Sequence, residues 1–424
     1  MSRVIGLHHR VKKTADGEAR PTQLVILDDD NIITHDLEDE NAELDFVLAR
    51  FPTSFRKPAD DEDLKKFLPY HIGWRKIAAD KRDQYPVQLL KQKKKLWYRA
   101  VFVPETFDGL KTGDTVAMVL GGSGDNLAYA LSRCAELLKA RILRIPPIRL
   151  KKYRISGKED DALNLAQLVI AAPELFYPTE PRDRDIINIR ETYRARMYCM
   201  EARIACQLRV RQNLVGQVFR SNEGKFPEGA IEAEYNKAKA NNVILKNLTR
   251  EERKCDTKML AALKASPVYT EIFEPIEGIG PAIAAGIIST IVDIRRFPAK
   301  PGFRKFCGVH CTPDGKFPKR RRLAEGETGN DWTPEARQAF FLAAEQFNFR
   351  PGSEWNMKLK ERKAYLRAKH SEVKKTPDGK VKSKYSPLHI LRMSKWQAAT
   401  KFANWLWGNW WALERRQQKA REAA

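Results

Sequence analysis

The feature that most limits how this chain can fold is the stretch from Asp185 to Val215, which contains neither proline nor glycine. Its apolar residues Ile186, Ile189, Tyr193, Met197, Met200, Ile204, Leu208 and Val215 recur mostly at steps of three and four, the period of one face of an α-helix. A helix of that length needs a partner for its apolar face. After the break at Gly224, Pro227 and Gly229, a second helical stretch runs from Ala230 to Leu263, which suits an antiparallel coiled-coil pair. The same periodicity also fits two helices buried in one globular core. Upstream, the proline-containing segment Pro173 to Pro181 reads as a hinge.

Before that hinge the texture is α/β. Val4 to Leu7 and Leu24 to Leu27 are short apolar runs that read as paired strands. Thr115 to Leu120 is followed by Gly121, Gly122, Ser123 and Gly124, then by a helical pattern through Leu127, Leu131 and Leu138, then by the apolar run Arg141 to Ile145. Strand, turn, helix, strand is the pattern of an α/β sheet. Ala162 to Ile170 is a further helix with an apolar face.

The 424 residues carry 77 Lys and Arg against 54 Asp and Glu, a net charge of +23. Such an excess points to a polyanionic partner. No stretch reaches the roughly 18 to 20 apolar residues that span a bilayer, and the first residues are too short a run for a signal peptide. A cytoplasmic setting in a prokaryotic or phage-infected cell, with no membrane partner, is the expectation. Charge is unevenly dealt: Pro21 to Ala49 holds nine acids and no Lys or Arg, whereas 19 Lys and Arg against six acids lie from Arg350 onward. Nucleic acid is therefore expected at the C-terminal end. The six cysteines are too sparse for a disulfide framework, and Cys307 and Cys311 with His310 lack a second ligand pair for zinc. They read as buried, reduced thiols.

Ile276-Glu277-Gly278-Ile279-Gly280-Pro281 leads into an apolar helix start at Ala282. Gly-x-Gly between helices is the helix-hairpin-helix pattern, in which backbone N–H groups approach a phosphate; a plain tight turn has the same residues. Basic residues follow: Arg295, Arg296, Lys300, Arg304, Lys305, Lys316, Lys319, Arg320, Arg321 and Arg322. Near the end, Trp396, Trp405, Trp407, Trp410 and Trp411 share one helix without forming a single stripe. Core packing, base stacking and a membrane surface are the readings open to them.

In that order the elements resemble the DEDD-type insertion-sequence transposases guided by a bridge RNA, the IS one-ten group. Val4-Ile5-Gly6-Leu7-His8 is similar to the opening strand, Val116 to Gly122 to the second acid-bearing strand, and Ser156 to Ala162 to the Lys-Thr-Asp-x-x-Asp-Ala motif. Ile276 to Val309, with Arg296-Phe297-Pro298 and Phe306-Cys307-Gly308-Val309, is similar to the C-terminal domain. The resemblance implies four carboxylates around two divalent ions. This chain offers His8, Val119 and Lys158 at three of those places and keeps only Asp161. A serine nucleophile is also implied, but no serine occurs between Ser289 and Ser353, and Thr312, Pro313 and Asp314 occupy the place.

The long helices followed by Gly280 to Pro298 also resemble the Nop domain of box C/D ribonucleoproteins, and both resemblances meet in the Tas proteins of tandem-interspaced-guide-RNA systems. The fold expected is thus an α/β RuvC-like (RNase H-like) domain at residues 1–180, a coiled-coil hairpin at 181–266 and a basic helical Nop-like or helix-hairpin-helix domain at 267–424. The function expected is RNA-guided DNA binding, with guide RNA and target DNA as partners, a homodimer through the long helices, no catalytic or metal-ligating residues and no cofactor. Nucleic acid is expected on Gly278, Gly280 and the basic residues from Arg295 to Arg322. The rivals are an active transposase or nuclease with relocated acids, which would need Mg²⁺, and a phage protein that coats nucleic acid.

Overall fold

A computed structural model describes residues 3–10, 17–29, 31–154, 157, 159–224, 229–312, 316–318, 332–371, 373–375, 381–383 and 385–423. The chain is mixed α/β and divides into two compact units, Met1–Glu180 and Pro181–Ala424.

In the N-terminal unit, β1 (Val4–His8), β2 (Thr22–Asp28) and β3 (Asn31–Leu37) form an antiparallel meander. Helix α1 (Glu40–Val47) starts at Asp39, whose carboxylate accepts the Ala42 N–H, a standard N-cap. Residues 51–108 then form a separate sheet of β4 (Phe51–Arg56), β5 (Gly73–Ile77), β6 (Leu90–Lys93) and β7 (Leu96–Asp108), in which β7 pairs with each of the other three. The chain returns as β8 (Thr115–Val119), α2 (Asp125–Leu138), β9 (Arg141–Ile145), α3 (Pro147–Leu150), α4 (Asp161–Ala171) and β10 (Tyr177–Pro178). The main sheet runs β10-β9-β8-β1-β2-β3, with β1, β8 and β9 parallel.

The two-residue period of β8 explains why helices cover both faces. Val116 and Met118 pack with Ile5, Leu7, Phe46 and Leu131 on one side, while Ala117 and Val119 join Leu165, Leu168 and Val169 of α4 on the other. Gly6 lies under α4: a Cβ there would stand 1.8 Å from the Ala162 carbonyl oxygen, so only glycine lets helix and strand approach this closely. Just before the central strands β1 and β8, the buried Arg3 guanidinium pairs with Asp108 and Asp114 at 2.8 Å each.

In the C-terminal unit, α5 spans Pro181–Phe219, longer at both ends than its glycine- and proline-free stretch. The second helical stretch is two helices, α6 (Ile231–Asn241) and α7 (Val243–Lys264), because the Asn242 side chain caps α7 by accepting the Leu245 N–H. Helix α7 lies antiparallel to α5 through Arg196–Asp256 at 3.1 Å, an Arg203–Glu252 ion pair and Cys199 beside Cys255. Pro281 begins the buried helix α8 (Pro281–Ile291), followed by α9 (Lys300–Phe306), α10 (Pro334–Asn348), α11 (Glu354–Lys369), the short strands β11 (Val373–Lys375) and β12 (Val381–Ser383), and α12 (Pro387–Glu422).

The tryptophan helix is a core element. Phe402 of α12 meets Phe340, Phe347 and Trp355 with ring centroids 5.1 to 5.8 Å apart, within the range of favourable aromatic pairs. Trp410 is buried, and the indoles of Trp407 and Trp411 both donate to the Phe297 carbonyl at 2.8 and 3.0 Å. Of the cysteines only Cys307 is fully buried, where burial pushes its thiol well above the usual range. Cys311 is exposed, contrary to the expectation of uniformly buried thiols. Among the described residues, no helix is long and apolar enough to cross a membrane.

Candidate nucleic-acid interface and the Asp161 carboxylate

The position that resembles a two-metal centre sits where β1 ends, β8 ends and α4 begins. His8 closes β1, Val119 closes β8 and Asp161 opens α4. His8 Nε2 lies 3.7 Å from an Asp161 carboxylate oxygen, so the fold does bring these two positions together. Lys158 lies outside the described residues.

Asp161 is fully buried and both its oxygens are taken by one partner: Arg154 Nε donates to Oδ1 at 2.6 Å and its Nη2 to Oδ2. These hydrogen bonds hold the Arg154 guanidinium above its ordinary range, although its partial burial opposes the charge. A second arginine is close by, for Arg10 donates to Gln23 at 2.7 Å and its Nε stands 3.5 Å from His8 Nδ1. A bidentate arginine is the geometry that neutralises a carboxylate most completely. The metals that the resemblance implies do not fit these residues: a dication at Asp161 would have to displace Arg154 and then face Arg10. Among the described residues, no group of three or more His, Cys, Asp or Glu converges as a metal site. Where the serine nucleophile would stand, the Thr312 hydroxyl donates to the Lys316 carbonyl at 2.7 Å; Pro313 and Asp314 lie outside the described residues.

In the C-terminal unit, the Gly278–Pro281 turn is built as its sequence requires. Gly278 has φ +96, a backbone region that suits glycine. Gly280 is exposed with an ordinary φ of −74, and a Cβ added to it meets nothing within 4 Å. Pro281 at the first helical position has no N–H to leave unpaired. The exposed Arg350 lies against this turn, its Cγ 3.2 Å from where a Gly278 Cβ would be. Sequence reading counted Arg350 only as the start of the basic tail; long-range packing gives it this place.

The remaining predicted residues divide by burial. Arg295 is mostly buried and bound to Asp293 at 2.8 Å and Asp183 at 3.3 Å. Burial opposes its charge, yet the two carboxylates more than offset this and hold the guanidinium above its usual range. The same contact keeps the deeply buried Asp293 below the ordinary carboxylate range despite desolvation. Arg296 donates to the Ile291 carbonyl at 3.0 Å and lies over Phe297 and Phe306. Arg304 is half-buried, whereas Lys305 and Lys316 are exposed. Lys319, Arg320, Arg321 and Arg322 lie outside the described residues. Gly308 of the Phe306–Val309 motif has φ +64 beside Trp332 and Arg337, and the Val309 carbonyl accepts from Thr400 of α12 at 2.6 Å. That motif therefore anchors α12.

Residues 270–347 match the profile of the transposase family described as IS116/IS110/IS902. The match covers the Gly278–Pro281 turn, α8, α9 and α10, and supports a relation to that group of transposases. No curated protein matches the chain.

Proposed function

We propose that this protein is an RNA-guided DNA-binding protein that holds a structured guide RNA and has no nuclease activity of its own. The observation that carries the reading is the bidentate Arg154–Asp161 pair beside His8, in which a guanidinium takes the oxygens a metal would need. The sheet order β3-β2-β1-β8-β9, with three antiparallel strands followed by two parallel ones, supports a RuvC-like assignment for the scaffold around it. On this reading the N-terminal unit retains the frame of a nuclease and has lost its ligands. The C-terminal unit retains a Gly-x-Gly turn with exposed Gly280, flanking Arg350 and exposed Lys305 and Lys316, which suit phosphate contact. Base readout would fall to pairing with the guide.

A homodimer is part of the proposal. Ile204, Leu208 and Phe219 of α5 are exposed, and with the half-buried Val215 they recur at steps of four, seven and four along one helical face. A second copy is the partner this stripe suits.

The test is to purify the protein without nuclease and sequence what comes with it. One discrete RNA species is expected; a protein-only ultraviolet spectrum that ribonuclease does not alter would count against the proposal. The family match favours one rival, an active transposase of the IS116/IS110/IS902 kind. The copurified RNA and matching DNA in Mg²⁺ or Mn²⁺ decide between them: no cutting is expected, and cutting abolished by Asp161→Ala would establish the rival.

A further inference from the structure

The sheet inserted at residues 51–108 carries a surface that the reading above does not use. From Leu64 to Arg99 the chain has eleven Lys and Arg against two acids, Asp80 and Asp83. Strand pairing sorts the side chains by face, because residues directly opposite one another share a side. Lys76 pairs with Tyr98, and Tyr98 with Lys91, giving a row of lysine, tyrosine and lysine across β5, β7 and β6. Trp74 and Lys93 share that face, with the Lys91 ammonium 3.6 Å from the centre of the Trp74 ring. The opposite face repeats the pairing of cation and ring, with Arg82 over Trp97 at 4.9 Å and Arg99 over Tyr85 at 4.4 Å. Burial and the neighbouring Lys93 charge push the Lys91 ammonium below its usual range.

The hairpin tip is the second observation. β6 and β7 are joined through Lys94 and Lys95, both in the left-handed region at φ +49 and +64. Two-residue turns of this kind favour Asn-Gly, and residues with a full side chain pay a backbone penalty there. This chain instead places two lysines at the tip, next to Lys93, and leaves all three exposed. Local folding gains nothing from that choice; a partner bearing negative charge does.

We propose that the β5–β7–β6 sheet is a binding surface for single-stranded DNA. Lysines at the hairpin tip and along the row would contact phosphates as point charges, and Tyr98 between Lys76 and Lys91 would stack on a base, while Trp74 packs on the sheet's own core; the combination tolerates any sequence. A duplex hides its base faces and could use only the charges. With the guide RNA assigned to the C-terminal unit in the reading above, DNA is the single strand left for this surface, and in that respect the proposal rests on that reading. The surface lies within the N-terminal unit, so a crosslink map tests it separately from RNA copurification.

The test uses the full chain and a single-stranded DNA 20-mer carrying 5-iododeoxyuridine, photo-crosslinked and mapped by mass spectrometry. Crosslinks at Tyr98 or in the β6–β7 hairpin are expected, competed by unlabelled single-stranded DNA more strongly than by duplex or by RNA of the same sequence. Crosslinks confined to residues 181–424 would overturn the proposal, and stronger competition by RNA or duplex would overturn its occupant. A triple variant, Lys93→Ser with Lys94→Asn and Lys95→Gly, installs the turn sequence the backbone prefers. It is expected to melt no lower than wild type while its affinity for the single strand falls about fivefold at low salt and the salt slope drops by about two. Unchanged affinity in that folded variant would equally overturn the proposal.

Discussion

In the N-terminal unit the position that resembles a metal centre holds a carboxylate bound by an arginine, whereas in the C-terminal unit most motif residues have a backbone or packing reason for their place. Gly6 still seats α4 on β1, so the first residue of α4 is still delivered to the end of the strand, but Asp161 meets an arginine there. Gly278, Gly308 and Pro281, by contrast, hold the backbone geometry their motifs require, and all three lie within the residues 270–347 that the family profile matches. Scaffold and chemistry are separable: hydrophobic alternation and one close glycine contact hold α4 against β1, whatever charged group then meets Asp161.

The comparison breaks most visibly at Gly6. Gly6→Val forces a side chain into the Ala162 carbonyl and is expected to destabilise the N-terminal unit by roughly 3 kcal/mol or more, read as a lower urea midpoint for tryptic cleavage within residues 3–180. A variant that unfolds like wild type would mean α4 is not seated on the strand.

Next comes the buried pair. Asp161→Asn leaves Arg154 without its anion and is expected to cost about 3 kcal/mol, the lower end for a broken buried ion pair because Arg154 keeps some solvent contact. The double change Arg154→Met with Asp161→Leu should recover most of that loss. A double variant as unstable as the single one would show that the pair does more than neutralise itself.

For the C-terminal unit, the two glycines should separate. Gly278→Val is expected to lower the melting temperature by several degrees, since it combines a left-handed φ with contact against Arg350. Gly280→Val has room for its side chain and should leave the melting temperature unchanged while weakening RNA binding a few-fold in a filter assay. Equal effects on both readouts would make the turn purely architectural. Lys305→Ser with Lys316→Ser should reduce the salt slope of binding by about one to two, with little dependence on sequence.

The smallest effect concerns pH. Burial disfavours the Asp108 charge, but His35, Arg3 and the Gly109 amide outweigh it and hold this carboxyl well below the ordinary carboxylate value of 3.8. A folded-state value below the unfolded one means that the stability contributed is complete above about pH 5 and is lost as pH falls through and below 3.8. Asp108→Asn should flatten the acid limb of the N-terminal unit's unfolding curve between about pH 4 and pH 2, and an unchanged slope would remove Asp108 from that role.

Much of this was legible in the sequence for identifiable reasons. The strands at Val4 and Thr115 announce themselves by continuous apolar runs, and α5 by its periodicity without proline or glycine. The break at Asn242 was not seen, because a capping asparagine inside a helical pattern looks like any polar surface residue. The inserted sheet gives little signal for a related reason: β5 and β6 carry charge at most exposed positions, and its core cluster of buried residues is small, with Ile72, Ala100 and Val103. Arg154 gave no signal, since its contact with Asp161 depends on the turn between α3 and α4. The tryptophans of α12 are ambiguous in the sequence because their partners are distant along the chain: Phe341 against Trp396, Trp355 against Trp405 and the Phe297 carbonyl accepting from Trp407 and Trp411.

The Arg154–Asp161 contact also limits what a single added acid could do. His8→Asp would place a second carboxylate beside a guanidinium already fixed 2.6 Å from Asp161, with Arg10 close by. The new acid would extend a salt-bridged cluster before it could attract a metal, so an incoming dication would compete with guanidinium groups for the same oxygens.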